Sequence, residues 1–270
     1  MNDRYDWEVP EGFDAFGYAS FYVEKVLLPD VGVIAENRQW LGPNLEFDWF
    51  RPSLEIQIAG LCLMAGRLGK ENFAVALACS AIDHLIVGWN ATLVSFPRVA
   101  YTLCRHVIES AIFQVAHYHC PAEFRKLWQG DKATGGKALQ LLSKDGVPKG
   151  LWEELQKCWK FAVSYGHVSP IPTTMSADAG PRVPGNSITA NVLGGPHNGK
   201  LPEGLLFQLG GAQVMIAEAS LRAFAFTFSE RLSCHPEWNA KYCEQMGRIA
   251  ARLSKGNEGN KKKRRTTGSR

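Results

Sequence analysis

The chain has 270 residues, 46% hydrophobic and 21% charged, and a formal net charge of +4. This composition allows a large buried core and excludes a low-complexity or fibrous chain. The charge is unevenly placed: seven basic residues against one acid from Lys255 to Arg270 give that stretch +6, so residues 1–254 carry −2. A body of that sign is not a nucleic-acid binder on charge grounds.

The first residues, Met1-Asn2-Asp3-Arg4-Tyr5-Asp6, include acids and lack the apolar stretch of a secretory signal. The longer apolar runs are broken by Asp83, His84, Arg105 and Glu109, so no clean membrane span of about 18–20 residues is expected. The expectation is a cytoplasmic protein with no membrane association. The seven cysteines (62, 79, 104, 120, 158, 234 and 243) are odd in number and show no C-x-x-C spacing. Most are expected to be buried free thiols.

Residues 1–50 are rich in aromatics and are expected to form a strap against the core, with one short helix near Ala19–Val26. From Pro52 the spacing becomes helical, first to Arg67 and then from Glu71 to about Leu93, where Ala74, Leu77, Ala78, Ala81, Leu85 and Trp89 share a face. Pro97 suits the first position of a helix running to about Cys120, and Pro121 opens another to Gln129. Helices are also expected over Lys137–Lys144 and Leu151–Tyr165. Residues 171–204 hold five prolines and six glycines, a density that no helix survives. Ser187–Leu193 is the one candidate strand there, in a small hairpin, so this insert is either a flap or disordered. Helix returns from Leu205 to Leu232, with Gly210-Gly211 as a candidate kink, and again over Glu237–Leu253. The expected fold is all-α: an antiparallel helix bundle over 51–254, interrupted by the 171–204 insert and followed by a disordered basic tail, 255–270.

The helix from Pro97 is the most informative. At about 100° per residue, Cys104, Val107, Ile108, Ala111, Ile112, Val115 and Tyr118 fill an apolar arc, and His106, Ser110, Gln114 and His117 an opposite polar stripe. Arg98, Thr102, Arg105 and Glu109 fall at the border of the apolar arc. A partly buried charge there needs a partner. Arg105 and Glu109 are spaced for an ion pair within the helix, worth about 0.3–0.5 kcal/mol if exposed. They also suit a site in which Arg105 binds an anion and Glu109 orients a partner. The segment Val163-Ser164-Tyr165-Gly166-His167-Val168-Ser169-Pro170 ends the preceding long helix, with Gly166 at its C-terminal boundary. There His167 either caps helix carbonyls or, if that end packs on the Arg105 face, joins Ser164, Arg105 and Glu109.

Other signals are weaker. His117 and His119 lie about 200° apart on a helix and cannot chelate one ion together, so no metal is expected. Gly194-Gly195-Pro196-His197-Asn198-Gly199 matches neither phosphate-binding glycine fingerprint, and no cofactor is expected. Phe224, Phe226 and Phe228 alternate and cannot share one helical stripe, which suggests a homo-oligomer. Lys261, Lys262, Lys263, Arg264 and Arg265 admit three readings: a solvated extension, an arm that contacts nucleic acid, or a surface for an acidic partner.

The run from Arg98 to Ser110, with Arg105 and Glu109 at R-x-x-x-E spacing, and the later Ser164-x-x-His167-x-Ser169 resemble an uncharacterised family of bacterial helical proteins associated with phage-defence loci. That family is similar in topology to the HEPN superfamily. The resemblance spans roughly residues 55–170. It implies an antiviral effector or toxin that acts on RNA or a nucleotide, as a dimer and without metal, with a partner protein from the same locus. The Arg-x4–6-His motif of HEPN ribonucleases is absent here. Cleavage would instead use His167 as general acid or base and Arg105 on the phosphate, with Glu109 beside them and Arg98, Thr102, Ser164 and Ser169 binding. The contrasting expectation is a non-catalytic helical module that oligomerises and binds a protein or nucleic acid through its tail.

Overall fold

The computed structural model describes residues 31–42, 44–64, 72–94, 96–143, 147–166 and 203–267, with side chains through Arg252. The expected helix at Ala19–Val26, the hairpin and almost all of the 171–204 insert lie outside these residues. Among the described residues the chain is helical, with no strand. Its elements are α1 (Val31–Leu41), a π-helical turn (Asn44–Phe50), α2 (Arg51–Met64), α3 (Asn72–Leu93), α4 (Pro97–His119), α5 (Pro121–Gln129), α6 (Gly135–Leu142), α7 (Lys149–Gly166), α8 (Glu203–Thr227), α9 (Ser229–Leu232) and α10 (Pro236–Thr267).

The α4 helix is the axis of the bundle, packed by α3, α6, α7 and α8. Its inward face is apolar and small enough for close approach: Ala100, Cys104, Val107, Ile108, Ala111 and Ile112 are fully buried. Pro97 occupies the first turn of α4 and Pro121 that of α5, where a missing N–H costs nothing. A second, smaller core joins Ile56 and Met64 of α2, Ala74 and Ala78 of α3, Phe224 of α8 and Trp238 of α10. Gly60 and Gly210, like Gly88 and Gly135, sit under a side chain from another helix. A Cβ on Gly60 would lie 2.5 Å from the Phe224 ring, and one on Gly210 would strike Leu41. Gly210 is therefore a packing contact. The α8 helix is continuous through Gly210-Gly211 and ends at Thr227, short of the expected Leu232.

Several features add to the sequence expectations or depart from them. Residues 31–41 and 44–50 form α1 and the π-helical turn, held by Asn37, whose amide donates to the Leu93 carbonyl at 2.7 Å, and by Phe50 stacked on Trp89 at 4.3 Å. The backbone of α10 stays helical to Thr267, well past Leu253. Its Lys and Arg residues are good helix formers, and no proline follows Pro236 to stop it. Only Cys104, Cys120 and Cys158 are buried, whereas Cys62, Cys79, Cys234 and Cys243 are exposed, because the α2 and α3 faces that carry the first two turn outward. Phe224 and Phe228 are buried and Phe226 packs on His119, so the three rings fill the chain's own core. One described stretch, Phe73–Leu93, is long and apolar enough by length and composition to cross a membrane, at mean hydropathy 1.4 despite Asp83. Its inward residues, Ala74, Ala78, Ala81, Leu85 and Trp89, pack within the bundle.

Candidate functional site

Two polar constellations stand inside this framework. The first is the one expected on α4. Arg98 and Thr102 are exposed, and Arg105 and Glu109 are half-buried, as residues at the edge of an apolar arc should be. Glu109 reaches across to α6, where its Oε1 accepts the Gly135 N–H at 2.9 Å. Gly135 is the first residue of α6, whose cap is Thr134, the hydroxyl of which accepts the Lys137 N–H. Glu109 thus places a negative charge against the positive end of a helix. The Arg105 guanidinium lies over the Trp159 ring, 5.8 Å from its centroid. The same ring covers Gly135, where a Cβ would come within 2.6 Å of it. Arg105, Trp159, Gly135 and Glu109 therefore form a ring of contacts joining α4, α6 and α7.

The end of α7 does approach α4. Tyr165 packs 5.1 Å from Tyr101, one turn before Arg105, with Phe161 beside both. Ser164 is exposed, and its hydroxyl donates to the Lys160 carbonyl. His167 and Ser169 lie outside the described residues. The polar stripe opposite is less wet than expected: Ser110 and Gln114 are buried, because α4 is covered on nearly all sides. His106 is exposed and stacks on His84 at 5.3 Å with planes 26° apart. Burial, His84 and Arg105 hold the His106 imidazole below its ordinary value, and Glu109 opposes them. In-plane lone pairs on near-parallel rings do not converge on one ion. Among the described residues no group of three His, Cys, Asp or Glu side chains is placed to hold a metal. His117 packs on Phe73 and His119 on Phe226, in different directions.

The second constellation was not anticipated. Glu154 of α7 pairs with Arg222 of α8 at 2.9 Å. One turn earlier on α8, Glu218 pairs with Arg252 of α10 at 2.6 Å. The Arg252 guanidinium also lies 4.5 Å from the centroid of Trp49. Charges thus alternate from α7 to α10. The Glu218 side chain is 5% exposed, and its Oε1 has no hydrogen-bond partner, as is also true of Arg222 Nε. Burial pushes both carboxyls above the usual carboxylate range, with Arg222 opposing it at Glu154 and Arg252 at Glu218. Cys158, one turn from Glu154, has its thiol pushed up to about 12, first by burial and then by that carboxylate. Such a thiol is a poor nucleophile. Little in the sequence signals this relay: Glu154, Glu218, Arg222 and Arg252 each read as an ordinary helical charge. Only the apolar neighbours of Glu218 marked it, since Val214, Ile216, Ala217, Ala219 and Leu221 are all buried.

The fold and both constellations define a helical bundle; apart from them, Ser80 Oγ lies 3.3 Å from His84 Nδ1 within α3, with His106 stacked on that imidazole. Comparison with protein-family models, curated proteins and solved structures returns no match.

Proposed function

We propose that this protein is a non-catalytic helical module that binds the phosphate backbone of nucleic acid through its basic C-terminal arm. The observation that carries this reading is the division of charge: +6 on residues 255–270 against −2 on the rest. The α10 backbone is helical through Lys261, Lys262, Lys263, Arg264 and Arg265. Five contiguous cations on phosphates release counterions, giving non-specific affinity with a log–log salt slope of about −4 to −5 on duplex DNA. The engagement of Glu109 by α6 and of Arg105 by Trp159 supports a structural role for the α4 border. Deleting residues 255–270 is expected to abolish binding to a labelled duplex. Binding retained at low salt after that deletion sinks this reading.

A second reading has one observation in its favour. The packing of Tyr165 on Tyr101 brings the end of α7 to the Arg105 face. On this reading the protein is a cytoplasmic, defence-associated effector like the HEPN ribonucleases, acting on RNA or a nucleotide through Arg105, Glu109 and His167. Arg105→Ala and His167→Ala would each then abolish toxicity or turnover while the melting transition stays intact. Variants that only melt earlier make the group structural.

A further inference from the structure

Arg252 is the last described side chain of α10, and the basic stretch begins three residues later at Lys255. Upstream of it, α10 is held by Trp238, whose Nε1 donates to the Ile56 carbonyl at 2.8 Å, and by Gln245, whose amide reaches the Trp49 carbonyl and Ser53 Oγ at 3.4 Å. Arg252 adds the last tie: a 2.6 Å contact to a carboxylate 5% exposed, with the Trp49 ring against its guanidinium. Glu218 is a fixed partner, because α8 is buried on both sides of it. The charged and titratable groups around Glu218 are Arg222 on its own helix, Glu154 and Cys158 on α7, and Arg252 on α10.

We propose that Glu218 and Arg252 are positioning residues for the basic arm: their ion pair, with Trp49 on the guanidinium, fixes where α10 leaves the bundle and so strengthens phosphate binding without touching phosphate. This rests on the phosphate-binding reading above. A pair that orders the arm in advance lowers the ordering cost on binding. It leaves unchanged the number of phosphates neutralised, which the salt slope reports. Affinity and slope therefore separate a positioning role from a contact role.

The test uses the full chain and a fluorescein-labelled 20-base-pair DNA duplex, titrated from 50 to 300 mM salt. Glu218→Gln is expected to weaken binding about 3–10-fold at every salt concentration, with a slope parallel to the wild type. Amide exchange over residues 246–256 should accelerate at least about tenfold, while α4 amides stay protected. If Glu218→Gln does not fold, Arg252→Met removes the same pair from its more exposed end and is read in the same way. Unchanged affinity overturns the proposal, whether or not exchange accelerates. So does a flatter slope in Arg252→Met, which would place Arg252 on phosphate. A control changes Lys261, Lys262, Lys263, Arg264 and Arg265 together to Gln and should flatten the slope. If that control keeps wild-type affinity and slope, the phosphate-binding reading fails and the positioning role falls with it. Accelerated exchange in Glu218→Gln would then show that the pair only staples α10 to the bundle.

Discussion

The ring around Glu109 and the relay through Glu218 each join three helices with four residues, yet they use charge differently. In the ring, one carboxylate faces a helix N-terminus and one guanidinium faces an aromatic ring, so neither depends wholly on an opposite formal charge. In the relay, charge is answered by charge across α7, α8 and α10, and Glu218 lies almost out of water. A buried pair of this kind contributes little net stability but is costly to break from one side. The ring should therefore respond to shape and the relay to imbalance.

The largest expected effect is in the relay. Arg252→Met leaves Glu218 buried without its partner and should cost about 2–4 kcal/mol, scaled down for the partial exposure of Arg252. Adding Glu218→Leu should recover most of that loss, because an apolar pair of similar volume is often neutral. Urea denaturation of both variants checks this, and a double variant no better than the single one shows that the pair is not acting as a unit. Next comes Gly135→Ala in the ring. Its Cβ would meet Trp159 at 2.6 Å, so about 1–3 kcal/mol should be lost by overpacking. An unchanged melting temperature would mean that Trp159 simply swings aside. Glu109→Gln, which removes the charge and retains an acceptor for Gly135, should cost only about 0.5–1 kcal/mol. A loss as large as that of Arg252→Met would erase the distinction between the two regions.

The smallest effect is in proton linkage, where two histidines of α4 and the relay have opposite signs. The folded pKa values of His106 and His117 are depressed, so their contribution is complete above about pH 6.5 and is lost as pH falls through that range. Those of Glu154 and Glu218 are raised, so the folded state takes up protons more readily and gains stability as pH falls toward the ordinary carboxylate range. In His106→Gln/His117→Gln the decline between pH 7 and pH 5.5 should vanish. Urea midpoints measured across that window decide it, and an unaltered slope assigns the decline to other groups.

How far the sequence was legible follows from the same contrast. Pro97, Pro121 and Pro236 mark true helix starts because proline acts locally. Arg105 and Glu109 were readable as a border pair because they share one helix, but their partners Trp159 and Gly135 were not, since nothing in the spacing reaches 26 residues ahead. The relay spans Glu154 to Arg252 on three helices, and only tertiary packing brings its members together. Ser110 and Gln114 read as solvent-facing because periodicity shows that a helix has a polar side, not whether another helix covers it. Residues 31–50 concealed α1 because its apolar side is narrow: Leu41 is buried and Ile34 partly so, whereas Trp40 is half exposed, and the buried Asn37 supplies a contact that hydropathy scores as surface.

Asn37 and Leu41 also make α1 part of the folding unit. A chain started at Arg51, where the helical periodicity becomes clear, would leave the Leu93 carbonyl without its donor and a leucine-sized hollow above Gly210. A void of that size costs about 2–5 kcal/mol, a large share of a domain's net stability. A fragment that keeps the bundle intact should therefore include α1, which is better regarded as a plug in the core than as a leader in front of it.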